Sequence, residues 1–578
     1  MTSIDDLFKK PNLPSGSIKR KFEEPDAHEA YKASKLSSTS SPHTNGKASV
    51  EDAPEDDDDL EAGPSLPPDD DLGDDEEGRF FGGGVTRDAA EALDYIEGQE
   101  GQEEELKEEK IDAAWLKRLS TSFERKTAKN AELRAKHEGE PQKFMASEAD
   151  LDAETKSWSL LSEHPELYPA FAKSGSAGRL VELLAHENTD IAIGAIEIVS
   201  ELLDEDVEAE QEQWDALVEA LLDADMLGLL MSNLARLDES NESDRSGVYH
   251  SLAVLENLAG QQAIAERIGT EDVLNWLCNR IRQPEKVLGQ NKQYAAEVLQ
   301  VLLQSSGMLR NRLAKEVEGV DLFLQLLAQY RKRDPPKDTP EEEYVENIFD
   351  ALTCVVDEPQ GKAAFVEAEG IELVLIMLKE GSFSKLRALR LLDHAVGGTN
   401  GVPEVCEKLV EAGGLKTIFS LFSKKPSQAV IEHLLGIFAA LLRWLPGESA
   451  ARIRTLNKFT EKDFEKVSKL ASLRKDFARR LAAAEEEINL ERRMMDEEDW
   501  PEREGEWFSR RLEGGLFGLQ TIDVILAWLV AEDAGAKAKI QSQLESLTAI
   551  KASLSEQLEG TEDEDAREMF GTLIGFLQ

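Results

Sequence analysis

Carboxylates recurring in a fixed register offer this 578-residue chain its clearest chemistry. Superposing its apolar helical segments on Leu255-Glu-Asn-Leu258 brings Glu201, Asn257 and His394 to one position. Glu197, Glu297 and Asp350 fall one turn earlier, on the same helical face. Glu256 and Asp393 flank the row, while Val301 and Cys354 interrupt it. Acids and an amide displayed in this way suit ammonium and guanidinium donors and the backbone of an extended peptide. The competing reading is ordinary solvated acid, because the chain has 116 Asp and Glu against 66 Lys and Arg, a formal net charge of −50. That excess argues against a protein that coats nucleic acid and for basic protein partners or solubility.

Residues suited to catalysis form no comparable pattern. The sequence has no P-loop, HExxH or paired CxxC, and Gly82-Gly-Gly84 follows no predicted strand. Cys278, Cys354 and Cys406 are widely spaced among apolar residues, which suits neither a disulfide framework nor zinc and points to a reducing compartment. A lone Cys354 with His394 reads as core packing rather than nucleophile and base. The expectation is a protein without catalysis, cofactor or metal.

The acids sit on segments that repeat. From Gly175 to Asp204 an apolar helix, a polar break (His186 to Asp190) and a second apolar helix (Ile191–Leu203) form one unit. Neither helix can bury its apolar face alone, so related segments must recur. They start at Gly175, Ala224, Glu271, Glu318, Glu369 and Gly413, with spacings of 49, 47, 47, 51 and 44 residues. The third, sixth and seventh positions of each unit are apolar, an i, i+3, i+4 stripe that predicts a helix buried on one side. Second helices are predicted at Ile191–Leu203, Val248–Ala259, Gln293–Leu303, Val345–Val356, Leu386–Val396 and Ile431–Leu445. The period approaches that of armadillo and HEAT arrays. The expected fold is an all-α, right-handed superhelical solenoid of about six repeats over residues 171–450, with an ordinary helical bundle as the alternative.

Flanking segments differ in kind. Residues 1–105 read as a disordered tail, because Glu51–Glu77 carries fifteen acids and no base and cannot bury enough apolar surface to offset ordering. Lys19, Arg20 and Lys21, between Pro14 and Pro25, form a basic cluster like a nuclear localisation signal. Residues 106–170 are expected as N-terminal capping helices, with Ile111, Trp115, Leu119 and Phe123 as an apolar stripe. Acid-rich inserts at Asp204–Glu212 and Asp334–Glu343 are expected as loops. Residues 451–578 are expected as a C-terminal helical region, where Asn457–Arg493 could also form a coiled coil and mediate homo-oligomerisation. Ile540–Leu558 is expected as one further helix. No segment reads as a signal peptide, and Leu516–Val530 is too short and too interrupted to span a bilayer, so a buried helix is expected.

Several local stretches carry a resemblance. Lys143-Phe-Met-Ala-Ser-Glu148, Leu167-Tyr168, His186-Glu-Asn-Thr-Asp190, Leu237-Asp-Glu-Ser240, Leu391-Leu-Asp-His-Ala395, Leu456-Asn-Lys-Phe-Thr-Glu461 and Arg510-Arg-Leu-Glu-Gly-Gly-Leu-Phe517 are similar to the beta-catenin-like family of armadillo proteins, over roughly residues 110–530. The resemblance implies a nuclear, spliceosome-associated protein. Its implied partners are components of the Prp-nineteen-type complex and the basic localisation segments of splicing factors, with no direct nucleic-acid or membrane contact. A rigid scaffold that holds folded partners by its outer surface and ends, without a peptide groove, is the alternative.

Overall fold

In the computed structural model the described residues are 110–496, 499–544 and 546–577. The tail, with Lys19, Arg20, Lys21 and the acidic run, lies outside them. Two compact units divide at Trp115, and nearly all described residues belong to the second, Leu116–Gln578. The described residues form twenty-six α-helices and no strand, an all-α solenoid.

Two helices, α1 (Ala113–Lys136) and α2 (Met145–Lys156), precede the repeats. Phe123 meets the edge of Trp158 at 5.7 Å, and Trp158 packs on Phe171 at 4.8 Å. All three side chains are fully buried, and such contacts add to the ~1.5–3 kcal/mol that burying each large apolar side chain contributes.

From Tyr168 to Trp444 the helices come in six triplets, so the repeat has three helices where the sequence predicts two. The first helices are α3 (Tyr168–Ser174), α6 (Gln211–Asp223), α9 (Gln262–Ile268), α12 (Gly307–Lys315), α15 (Pro359–Glu367) and α18 (Val402–Glu411). The second are α4 (Ser176–Glu182), α7 (Met226–Leu234), α10 (Glu271–Arg282), α13 (Gly319–Ala328), α16 (Gly370–Glu380) and α19 (Gly414–Ser423). The third are α5 (Thr189–Leu202), α8 (Glu242–Ala259), α11 (Gln290–Ser305), α14 (Pro340–Val356), α17 (Phe383–Ala395) and α20 (Gln428–Trp444). Several first helices escape a periodicity search because they are short and bury little: Ala265 and Ile268 in α9, Leu309 and Leu313 in α12.

The corner between first and second helices explains where the repeats start. Gly175, Asp225, Glu318, Glu369 and Gly413 all adopt left-handed backbone there, with φ of 76°, 59°, 53°, 58° and 75°. Such a residue ends the first helix and turns the chain into the second. In three corners a glycine follows. A Cβ on Gly319 would meet Leu313 Cγ at 2.6 Å, on Gly370 the Phe365 ring at 2.3 Å, and on Gly414 Leu409 Cδ1 at 2.4 Å. The glycine therefore lets the first helix's apolar side chain close over the second helix's start.

Third helices pack side by side in one continuous layer, each against the next. The layer opens with α2 against α5 and closes with α23 (Leu516–Glu532) against α20. Asn188 and Asn241 cap α5 and α8, accepting from the backbone N–H of Asp190 and Ser243. Helices α6 and α14 begin inside the inserts expected as loops. This places Glu212, Glu341, Glu342 and Glu343 in first turns, where carboxylates favour the positive end of the helix dipole.

Beyond the repeats, α21 (Ala450–Met494) is broken at Glu461–Phe464, where Lys462, Asp463 and Phe464 have φ of 56°, 53° and 61°. Its second part pairs with α22 (Trp500–Glu513) running back along it: Glu485 with Arg511, Glu491 with Arg510, Arg492 with Glu504. Ile488 and Trp507 are fully buried in this hairpin. The stretch expected as one helix, Ile540–Leu558, is two, α24 (Ala534–Leu544) and α25 (Thr548–Gly560), and α26 (Glu564–Phe576) follows. Helix α23 is the core of this block, with Ile522, Ile525 and Leu526 fully buried and Asp523 paired to Arg474 at 2.5 Å. Among the described residues no single helix is long and apolar enough to cross a membrane.

Candidate peptide-binding groove

The acids singled out by register all lie on third helices, within the continuous layer that these helices form. Their partners come from neighbouring third helices or, for Glu201, from the cap. On α5, the Glu197 side chain is 53% exposed and its carboxylate lies 4.0 Å from His250 Nε2 of α8. Glu201 accepts a 2.6 Å hydrogen bond from the Ser159 hydroxyl. On α8, Glu256 accepts from the Tyr294 hydroxyl of α11, and Asn257 donates to the Ser200 carbonyl at 3.5 Å. Tyr249 packs against Tyr294 at 5.1 Å, between α8 and α11. Glu297, on α11, lies close enough for its charge to bear on Tyr294.

Electrostatics follow from burial. Burial, then the charge and hydrogen bond of Glu256, push the Tyr294 phenol well above its ordinary range, so it remains a neutral donor. Burial also pulls His250 below the ordinary imidazole value, against the opposing pull of Glu197 and Glu201. That histidine is therefore neutral near pH 7.

Further along the layer, sequence register assigns acids but the structure adds cations. Asp350 of α14 pairs with Arg390 of α17, and Glu346 pairs with Arg387. Asp393 meets His433 of α20 at 3.0 Å, and His394 meets Asp357 at 3.0 Å. At His394 burial lowers the pKa, but the bond to Asp357 and the charges of Asp357 and Asp393 carry it above the ordinary value. The row is thus spread over five third helices and is not one open set of carboxylates. Arg390 was legible in the same superposition: it stands four residues before His394, where Glu297 and Asp350 stand on their helices.

Cys354 falls within the register row on α14, and the other two cysteines lie on α10 and α18. Burial pushes the thiols of Cys278, Cys354 and Cys406 up to about 12, and the imidazole of His394 is bonded to Asp357. Among the described residues no cluster of three His, Cys, Asp or Glu side chains could hold a metal.

Comparison with known proteins decides the lineage. A family profile described as "Catenin-beta-like, Arm-motif containing nuclear" matches residues 90–559. The chain belongs to this beta-catenin-like Arm-motif family. Within it, a fission yeast protein named beta-catenin-like protein 1 homolog is 38% identical over 470 residues, 81% of each chain. The human beta-catenin-like protein 1 is 36% identical over 431 residues, covering 72% of this chain and 76% of its own. A solved structure described as "A conserved phosphorylation switch controls the interaction between cadherin and beta-catenin in vitro and in vivo" overlays 80% of this chain and 97% of that one, with 12% identity and a TM-score of 0.40.

Proposed function

We propose that this protein is a non-catalytic nuclear interaction solenoid that holds basic, localisation-type segments of splicing factors against α5, α8 and α11, in association with the spliceosome and a Prp-nineteen-type complex. One observation carries the reading. Along these three helices Glu197, Glu201, Glu256 and Glu297 face one side, whereas the only Lys or Arg are Arg245 and Lys292. The Lys292 ammonium is turned away to the Gln283 carbonyl at 2.6 Å, and the Arg245 guanidinium to the Glu239 carbonyl at 3.3 Å. A cationic segment laid across the helices would meet carboxylates, the Asn257 amide and the Tyr249–Tyr294 pair. Nuclear residence is proposed from the family's description as nuclear, with Lys19, Arg20 and Lys21 as the import signal.

The test is a pull-down of splicing factors with and without their basic segments at low and physiological salt. Capture should require the segment and fall steeply with salt, since exposed charge attraction is screened within ~8–10 Å. Capture that ignores both the segment and the salt would sink the reading. It would favour the scaffold alternative, for which exposed Leu490 and Met494 at the end of α21 offer an apolar contact.

A further inference from the structure

The groove's row of register positions changes sign part-way along. It reads Glu197, Ala253, Glu297 and Asp350, and then Arg390. Arg390 and its neighbour Arg387 keep 37% and 24% of their side chains exposed, yet each is committed to a partner. They reach back from α17 to the acids of α14, Arg390 to Asp350 and Arg387 to Glu346. Arg387 is held in place for this: its guanidinium lies 3.5 Å from the centre of the Phe383 ring and donates to the Phe383 carbonyl at 3.0 Å. The next rung is built too. Asp393 bonds His433, and a Cβ on Gly436 of α20 would strike Asp393 Oδ1 at 2.2 Å, so glycine makes the space that this carboxylate fills.

Resting on the peptide-groove reading above, we propose that Arg387 and Arg390 are built-in ligands of the groove. They occupy the α14 acids as a bound cationic segment would and end the basic-peptide site there. An intramolecular guanidinium loses no translational freedom on pairing, so a peptide's Lys or Arg competes at a disadvantage for Glu346 and Asp350. The partner this fits is an extended segment whose basic residues cover three third helices and then stop. With packed helices ~10 Å apart and ~3.3 Å per extended residue, that is a basic block of about six to nine residues. Residues following the block gain nothing from being basic, because the charges they would meet are already matched.

Two synthetic peptides test this: a Lys/Arg block of about eight residues followed by a Gly/Ser block of equal length, and a second in which both blocks are Lys/Arg. Calorimetric titration over a salt series should give wild-type protein the same salt slope for both. In Arg387→Met/Arg390→Met, which keeps the apolar stems, the doubly basic peptide should bind about tenfold tighter with a steeper slope, while the half-basic one changes little. Adding Glu346→Gln and Asp350→Asn should erase that gain. A steeper slope for the doubly basic peptide on wild-type protein, which needs no variant to fold, would overturn the proposal. So would an absent gain in a variant that melts like wild type. Failure of the groove reading itself is separate: it would appear as unchanged binding of the half-basic peptide by Glu197→Lys/Glu201→Lys.

Discussion

The two ends of the third-helix layer are built on one repeat and satisfied in opposite ways. Between α5 and α11 the acids meet hydroxyls and a neutral imidazole, Glu201 with Ser159, Glu256 with Tyr294 and Glu197 near His250, while the charge of Glu197 also bears on Lys156 of α2. Between α14 and α20 they meet guanidinium and imidazole groups of the following repeat. Along the layer's C-terminal edge cations begin one helix earlier, at α11. Leu202 at the end of α5 is capped by the Tyr168 hydroxyl, whereas α11 is capped by Arg310, α14 by Lys362 and α20 by Arg452. Positive groups at a helix C-terminus match both the free carbonyls and the negative end of the dipole. The lesson is that equivalent acids on one repeated surface can be matched by neutral donors in one stretch and by cations of the following repeat in another.

The largest effect should come from unlocking the second stretch. Lys362 is 1% exposed, and its ammonium donates to the carbonyls of Val356 at 2.6 Å and of Asp357 and His394 at 3.3 Å, tying α14 to α17. Lys362→Met should cost about 1–3 kcal/mol in denaturant unfolding while leaving basic-peptide affinity intact. Burial pulls this amine down to about 8 from 10.5. The unfolded chain then holds the proton more tightly, so Lys362's contribution to stability should rise between those two pH values and be missing in the variant. A variant with wild-type stability and an unchanged pH profile would remove the charged lock from the comparison.

Next in size is the open stretch. Glu197→Lys with Glu201→Lys should lose at least about tenfold in affinity for a Lys/Arg peptide, since a charge-assisted contact contributes ~1.5–3 kcal/mol. Reversing Glu205 and Glu208 in the loop before α6 should change little. Equal losses in both variants would mean that bulk acidity attracts the ligand and that the two stretches do not differ.

A smaller change sharpens the claim that the repeats themselves are alike. Glu369 holds φ at 58° with a side chain, so Glu369→Gly should raise stability by up to about 1 kcal/mol and leave peptide affinity unaltered. A loss of stability would show that the carboxylate matters more at this corner than the backbone.

The smallest effect is titration in the open stretch. His250 faces Glu197 and Glu201, beside Tyr249, and burial depresses its pKa. Protonation below the ordinary imidazole range adds a cation there, so affinity for a basic peptide should fall by about threefold on acidification, and His250→Gln should flatten the curve. A flat curve in wild-type protein would remove His250 from the groove.

Local sequence determined a good deal of this protein. The apolar stripes of Leu180–Val181, Phe323–Leu324 and Ile418–Phe419 dictate helices buried on one side, because helical periodicity depends on residues three and four apart. The repeat starts were legible because apolar third, sixth and seventh positions recur in every unit, and four of the starts, Gly175, Glu318, Glu369 and Gly413, fall on a left-handed corner. The register that puts Glu197, Glu297 and Asp350 on one face is likewise a property of single helices. Which acids are matched by a cation of the next repeat was decided only by tertiary structure. Asp350 and Arg390 are 40 residues apart and meet because α14 and α17 pack side by side. No periodicity within one helix reports what the next helix lays across it. The first helices were hidden for a related reason: α9 and α15 bury a turn or two of side chain each, too little to mark a stripe, and hold their shape through the neighbours that cover them.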